Sequence, residues 1–263
     1  MLDSKNIRQL YFVGAPRTGS TLLGQILNYH PQCLISNESR YLQKILRNGH
    51  NPQQAFNEMV QEAIHQFELS LEHTPRFNQK IDTYQPKWKS FNSFKNDPEF
   101  NKSEIRVIGD KKAGGNVQVY REDPAIFQKF IDQVGPYFLF ITRNPVNTAK
   151  SYLKSHGAGT FDQAMAKILD DTRAAIEIQN ITDKYKIVYY EDLQKTGNEV
   201  LTNICRFIEL NESTTWCDKV LSVVDKDDEI DDEDKPLYDI MNNFLLKDEN
   251  QKIRHLFERF LIL

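Results

Sequence analysis

Several features that would mark a class of protein are scarce or missing in this chain. Among its 263 residues there are three cysteines, Cys33, Cys205 and Cys217. An odd number without metal-ligand spacing argues against a disulfide framework. It predicts free thiols in a reducing compartment, and so a cytoplasmic protein. No run approaches the roughly 20 apolar residues that a membrane span needs. No apolar segment precedes the first strand, which starts near residue 8, so no signal peptide is expected. A net charge of −4 and a pI near 5.9 give no case for nucleic acid as a partner, although a local cationic pocket stays open. No H-x-E, H-E-x-x-H or C-x-x-C pattern occurs, so no metal site is expected. Hydrophobic residues at 40% and charged residues at 27% are ordinary for a globular chain, and the length suits one α/β domain over 1–263.

The most telling absence is a single lysine. Tyr11-Phe-Val-Gly-Ala-Pro-Arg-Thr-Gly-Ser-Thr-Leu-Leu23 reads as a buried strand, a tight loop and a helix start. Gly14, Gly19 and Thr21 fall in the frame of the phosphate-binding G-x-x-x-x-G-K-[ST] loop. Ser20 stands where that frame has lysine, and the cation is Arg17, inside the loop. Backbone N–H groups from Arg17 through Thr18, Gly19, Ser20 and Thr21 to Leu22 can still surround an oxyanion, helped by the helix N-terminus. Arg17 adds a guanidinium fork, and Ser20 and Thr21 add hydroxyl donors. The residue that reaches the β- and γ-phosphates of a triphosphate is gone, so a nucleotide other than ATP or GTP is expected. The plainer reading is a strand–loop–helix corner that uses glycine for its turn.

Apolar runs at 8–14, 33–36, 105–108, 137–141 and 187–190 read as buried strands. Helical patterns fall at 20–29, at 41–72 with a break at 49–52, and at 124–134, 145–155, 161–180, 197–209 and 247–261. This alternation predicts an α/β fold, a central parallel sheet with helices on both faces. The polar, proline-containing stretch 73–103 reads as an insertion or lid. The acidic run 225–235 reads as a solvated loop, with attraction of a cationic acceptor as the functional alternative.

A second constellation follows the fourth strand. Arg143 lies just past the strand's C-terminal end, where open α/β sheets bind ligands. Pro145 suits the first turn of the next helix. Ser151 lies eight residues on, about two helical turns away. Each residue alone fits a surface role; with the first loop, the pair reads as a second phosphate site.

Here a family resemblance becomes specific. Gly14-Ala-Pro-Arg-Thr-Gly-Ser-Thr-Leu-Leu23 resembles the 5′-phosphosulfate loop of sulfotransferases that use 3′-phosphoadenosine 5′-phosphosulfate (PAPS). Arg143-Asn-Pro with Ser151 resembles their 3′-phosphate motif. Val188-Tyr-Tyr-Glu-Asp-Leu193 resembles their strand-end motif, with Tyr190 as the tyrosine near the adenine. The likeness covers about 8–210. It implies the P-loop-like three-layer fold of that superfamily, with adenosine 3′,5′-bisphosphate (PAP) as product and no metal requirement. Arginine in the loop is similar to the tyrosylprotein and bacterial branch more than to the cytosolic phenol and steroid enzymes. That branch implies Glu38 as general base and Lys111, in Gly109-Asp-Lys-Lys-Ala113, as the lysine assisting the transition state. The usual proline two residues later is Ala113, which leaves Lys112 as the competing choice. The basic Arg-Lys-Gly element of some relatives is not apparent.

The side chains suit this chemistry in their own right. Sulfuryl transfer needs in-line positioning and stabilisation of charge on the leaving group. Arg17 and Lys111 offset charge on the bridging oxygen, and Glu38 takes the proton of an acceptor hydroxyl or amine. The expected acceptor is a small molecule whose identity the sequence does not encode. Two competing readings stand beside this one. A Mg²⁺-dependent kinase or NTPase would anchor its metal at Asp110. A non-catalytic nucleotide-binding protein would keep the fold alone.

Overall fold

The computed structural model describes residues 7–49, 51–72, 97–157, 159–222, 224 and 232–261. Most of the expected insertion (73–96) and of the acidic run (225–231) lies outside the described residues. Five strands, β1 (Arg8–Val13), β2 (Cys33–Asn37), β3 (Val107–Lys111), β4 (Tyr137–Thr142) and β5 (Tyr185–Tyr189), form one sheet in the order β2-β3-β1-β4-β5. All four pairings are parallel.

The sheet is buried on both faces, which explains the near-continuous apolar strands. Successive strand residues point to opposite sides. Leu10 and Phe12 of β1, with Leu139 and Ile141 of β4, belong to one core. That core is closed by α1 (Ser20–Asn28), α9 (Gly197–Phe207) and α10 (Thr214–Leu221). Tyr11, Val13, Phe138 and Phe140 belong to the other. It takes up α2 (Tyr41–Asn48), α3 (Pro52–Glu72), α4 (Ala113–Glu122), α5 (Pro124–Val134), α6 (Pro145–His156), α7 (Phe161–Gln179), α11 (Lys235–Leu245) and α12 (Gln251–Phe257). The short α8 (Tyr190–Lys195) leaves β5 directly. The three layers are those expected of an α/β chain.

Local chemistry sets several boundaries. The Asp123 carboxylate accepts from Ile126 N at 2.9 Å ahead of Pro124, and Gly135 ends α5 in the left-handed conformation. Thr160 and Gln163 close a capping box on α7. Several helices, the short α8 among them, depart from the sequence reading. The Gly114-Gly115 pair hides α4, because glycine opposes helix formation and only packing against β1 and α7 compensates. The α10 and α11 helices were also unforeseen, and the expected helix at 247–261 is a shorter α12 between two 3₁₀ turns.

The most consequential shift is at β3. The apolar run ends at Ile108, but the strand continues through Gly109, Asp110 and Lys111, all buried. Gly109 is required there: a Cβ would lie 2.6 Å from the Leu10 carbonyl oxygen and 2.8 Å from Ile35 Cδ1.

Lys102 ties the segment before β3 to the end of α1. Its ammonium donates to the carbonyls of Asn28 (2.5 Å), His30 (2.9 Å) and Cys33 (2.6 Å), and lies 4.3 Å from the Phe67 ring centroid. Burial pushes its pKa down to about 7. Lys102→Met leaves those three carbonyls without their donor. It is expected to lower unfolding stability by about 3 kcal/mol, read by denaturant or thermal melts.

Candidate active site

Every strand delivers a chemically equipped residue at the same C-terminal edge. The loop after β1 carries Arg17, Glu38 follows β2, and Lys111 and Lys112 close β3. Arg143 follows β4 and Tyr190 follows β5. The sites read separately from the sequence therefore share one edge of the sheet.

The loop adopts the geometry that its glycines permit. Gly14 (φ 122°), Arg17 (φ 69°) and Gly19 (φ 94°) all have positive φ. Gly19 is the N-cap of α1 and supplies no side-chain cap. First-turn N–H groups have no intrahelical acceptor, so those of α1 are directed at whatever lies in the loop. The Thr18 hydroxyl donates to the Ala15 carbonyl at 3.0 Å and braces the turn. Ser20 is buried, while Thr21 and Leu22 are half-buried in the first turn of α1.

Gly19 also makes room for Tyr190. A Cβ at position 19 would sit 2.3 Å from Tyr190 Cδ2. The Arg143 guanidinium lies 4.6 Å from the centroid of the same ring. Tyr190 is thus a buried wedge between the loop and Arg143. The loop also reaches α6, because Arg17 Nε donates to Ser151 Oγ at 3.2 Å across 134 residues of sequence. Two elements that each looked like half of an anion site are in direct contact.

The residues beside Arg143 brace this side. Asn144 caps α6, accepting from Val146 N at 2.9 Å. Its own N–H donates to Glu191 Oε1 at 2.7 Å, and its side-chain amide donates to the Tyr238 hydroxyl at 2.7 Å. Glu191 thereby joins the Tyr190 motif to the Arg143 motif. Sequence reading gave neither Asn144 nor Glu191 a role, although Asn-Pro before a helix was a readable capping signal.

The ends of β2 and β3 carry an ion cluster. Lys111 Nζ donates to Glu38 Oε1 at 3.0 Å, and Lys112 Nζ donates to Glu38 Oε2 at 2.8 Å. Lys111 is buried, and its stem packs at Gly24, where a Cβ would meet Lys111 Cγ at 3.2 Å. Lys112 is less covered, and Glu38 is about half exposed. Burial would raise the Glu38 pKa, but the two ammonium groups overcome it and hold the carboxyl at about 2. Burial pushes Lys111 below the ordinary lysine range, against the pull of Glu38. Lys111 and Lys112 thus both grip the carboxylate, and Lys111 alone is wedged against α1. The proline that the resemblance leads one to expect would fall at the first position of α4. Ala113 fills that place, and alanine suits a first helical turn.

Asp110, the metal anchor of the kinase reading, faces away from such a role. Its carboxylate accepts from Ser39 N at 3.0 Å and Tyr41 N at 3.1 Å and is fully buried. Burial raises its pKa to about 6. Among the described residues no cluster of three or more His, Cys, Asp or Glu could hold a metal ion. Two of the described histidines pack elsewhere. His30 is buried against Trp216, and burial lowers it to about 4. His156 stacks on Tyr152 with centroids 4.1 Å apart.

A glycine-turned loop, an arginine past the fourth strand and a lysine-gripped carboxylate thus share one edge of an α/β sheet. The family model described as "Sulfotransferase family" matches residues 10–214, and the chain belongs to that family: it is a sulfotransferase enzyme that transfers sulfuryl groups. Among solved structures, it resembles the sulfotransferase domain from the Synechococcus PCC 7002 olefin synthase. That match has 16% identity and a TM-score of 0.50, and covers 97% of this chain and 96% of that one. The sulfotransferase STF9 from Mycobacterium avium has 13% identity and a TM-score of 0.50, with coverage of 92% and 77%. At these identities the likeness is one of fold. No curated protein matches the chain. No helix among the described residues is long and apolar enough to cross a membrane.

Proposed function

We propose that this sulfotransferase moves the sulfuryl group of PAPS to a hydroxyl or amine of a small acceptor, with Glu38 as general base. The observation that carries this reading is the Glu38–Lys111–Lys112 cluster and the Arg17–Ser151 pair, both at the C-terminal edge of the sheet, with Lys111 packed on α1 at Gly24 and Arg17 in the loop that leads into α1. The left-handed cradle at Gly19, which has no room for a Cβ, suits a close-lying phosphosulfate. Arg143 and Ser151 would hold the 3′-phosphate. Tyr190, wedged between Gly19 and Arg143, would fix the distance between the two anion sites beside the adenine. Arginine at position 17 supports a place in the tyrosylprotein and bacterial branch. Three buried free thiols support a cytoplasmic location, and we read 1–263 as one domain.

The residues divide the work by position. Glu38 accepts the acceptor's proton as the new S–O or S–N bond forms. Lys111 and Arg17 offset the negative charge left on the phosphate oxygen as the bridging S–O bond breaks. In the state described, both lysines occupy the Glu38 carboxylate. Lys111 moving its ammonium toward the leaving oxygen would release Glu38 Oε1. With one cation fewer, the Glu38 pKa rises from about 2, which makes it a stronger base at the moment it is needed.

Titration calorimetry in the presence of a chelator tests the donor site. Binding of adenosine 3′,5′-bisphosphate without metal is the expected outcome. Tight ATP–Mg²⁺ binding with no response to the bisphosphate would overturn the reading.

A further inference from the structure

The loop that carries Glu38 is held in an unfavourable backbone shape. Glu38 and Arg40 both have φ near 60°, in the left-handed region, and neither is glycine. Such residues are disfavoured and persist only where their surroundings hold them. Here the hold comes from the end of β3. Glu38 N donates to the Lys111 carbonyl at 3.1 Å, extending the β2–β3 pairing by one residue. The next amide, Ser39 N, and that of Tyr41 are both taken by Asp110, one carboxylate oxygen each. The two left-handed residues therefore bracket Ser39, and Asp110 grips the backbone on either side of Arg40.

We infer that Asp110 is a positioning residue, which clamps the strained Glu38–Tyr41 backbone so that the Glu38 carboxylate meets Lys111 and Lys112. Asp110 touches neither the Glu38 side chain nor a reacting atom; it acts through the backbone. Its neighbours in sequence are the two lysines, so one short segment both aims the carboxylate and supplies its cations. Two acceptor oxygens are needed. In Asp110→Asn one oxygen becomes an NH₂ that faces a backbone N–H, donor against donor.

This inference rests on Glu38 being the base, but its test does not use turnover. The Glu38 carboxyl carbon can be followed by ¹³C NMR in glutamate-labelled protein, assigned by its loss in Glu38→Gln. In the wild type the signal stays flat from pH 7 down to about pH 3, since the lysines hold the group at about 2 and Asp110, protonated below about pH 6, still turns an oxygen rather than an NH₂ donor toward each amide. In Asp110→Asn the loop relaxes, Glu38 leaves its lysines, and the signal titrates near the ordinary 4.5. Adding Arg40→Gly to Asp110→Asn returns the signal toward the flat profile, because glycine takes the left-handed conformation without penalty. If Asp110→Asn does not fold, Asp110→Glu is read the same way, with the same upward move expected. A folded Asp110→Asn or Asp110→Glu whose Glu38 signal stays flat overturns the clamp. A double variant that glycine fails to restore overturns the backbone route. Normal turnover in Glu38→Gln would instead remove the base reading while leaving this result standing.

Discussion

Glu38→Gln is expected to reduce sulfuryl transfer by about 10²- to 10⁴-fold, the usual contribution of a positioned general base. Its affinity for adenosine 3′,5′-bisphosphate should stay within a few-fold of wild type. The split follows from geometry. Glu38 is bonded to Lys111 and Lys112, while the loop N–H groups, Arg17 and Ser151, proposed to hold the donor, form a separate group. Glutamine keeps the size of the side chain and can still accept a hydrogen bond, so it removes the basic carboxylate without opening a hole. The pH dependence has a defined sign. A carboxyl held at about 2 stays ionised from neutrality down to that value, so protonation of Glu38 puts no acid limb above about pH 3 on reactions of the donor-free protein. Once Lys111 has moved to the leaving oxygen, the pKa rises and the acid limb of kcat moves to higher pH. Turnover and calorimetry on one preparation check both halves. A Glu38→Gln protein with normal turnover would remove Glu38 as base.

Arg17→Ala is the second large effect. Arg17 is the one side-chain cation within the loop, held at positive φ and anchored to Ser151. Its removal withdraws a donor from the place where charge develops, a loss of about 10²- to 10³-fold in turnover. Unlike Glu38→Gln, it should also weaken bisphosphate binding, because in the proposed site the guanidinium would face an anion in the ground state too. Arg17→Lys should recover only part of either loss: an ammonium keeps the charge but not the planar fork that reaches Ser151 while facing the loop. Equal bisphosphate affinity in wild type and Arg17→Ala, measured by calorimetry, would show that the loop backbone holds the anion without it.

Much of the fold was legible in the order of its segments. All five strands were anticipated, because a sheet covered on both faces demands uninterrupted apolar residues and leaves a plain signal. The error at β3 has a physical source. Gly109, Asp110 and Lys111 look like a turn to any local rule, yet they are strand because parallel partners, β1 and β2 for the first two and β2 for Lys111, pair with them. The α4 helix was missed for a related reason: its Gly-Gly start opposes helix formation, and tertiary contacts with β1 and α7 reverse that preference. The Asp110 carboxylate looked available for a metal. In the fold it is committed to two backbone amides about 70 residues away in sequence, contacts that no pattern in the sequence displays.

The sequence by itself determined the class of chemistry. A glycine loop in the phosphate-binding frame but without its lysine, an arginine past the fourth strand, and a tyrosine past the fifth are local signals, each set by a few adjacent residues at the end of a strand. Tertiary structure decided how those residues meet. The β2–β3 register, with Asn37 opposite Lys111, puts Glu38 within reach of both lysines. The packing of α6 brings Ser151 to Arg17, and Tyr190 becomes a wedge because Gly19 leaves it room. These contacts depend on strand register and left-handed backbone, which are set by hydrogen bonds between segments far apart in the chain. The loop motif therefore pointed to the chemistry, but only the folded sheet placed the carboxylate, its two lysines and Asp110 together at one edge.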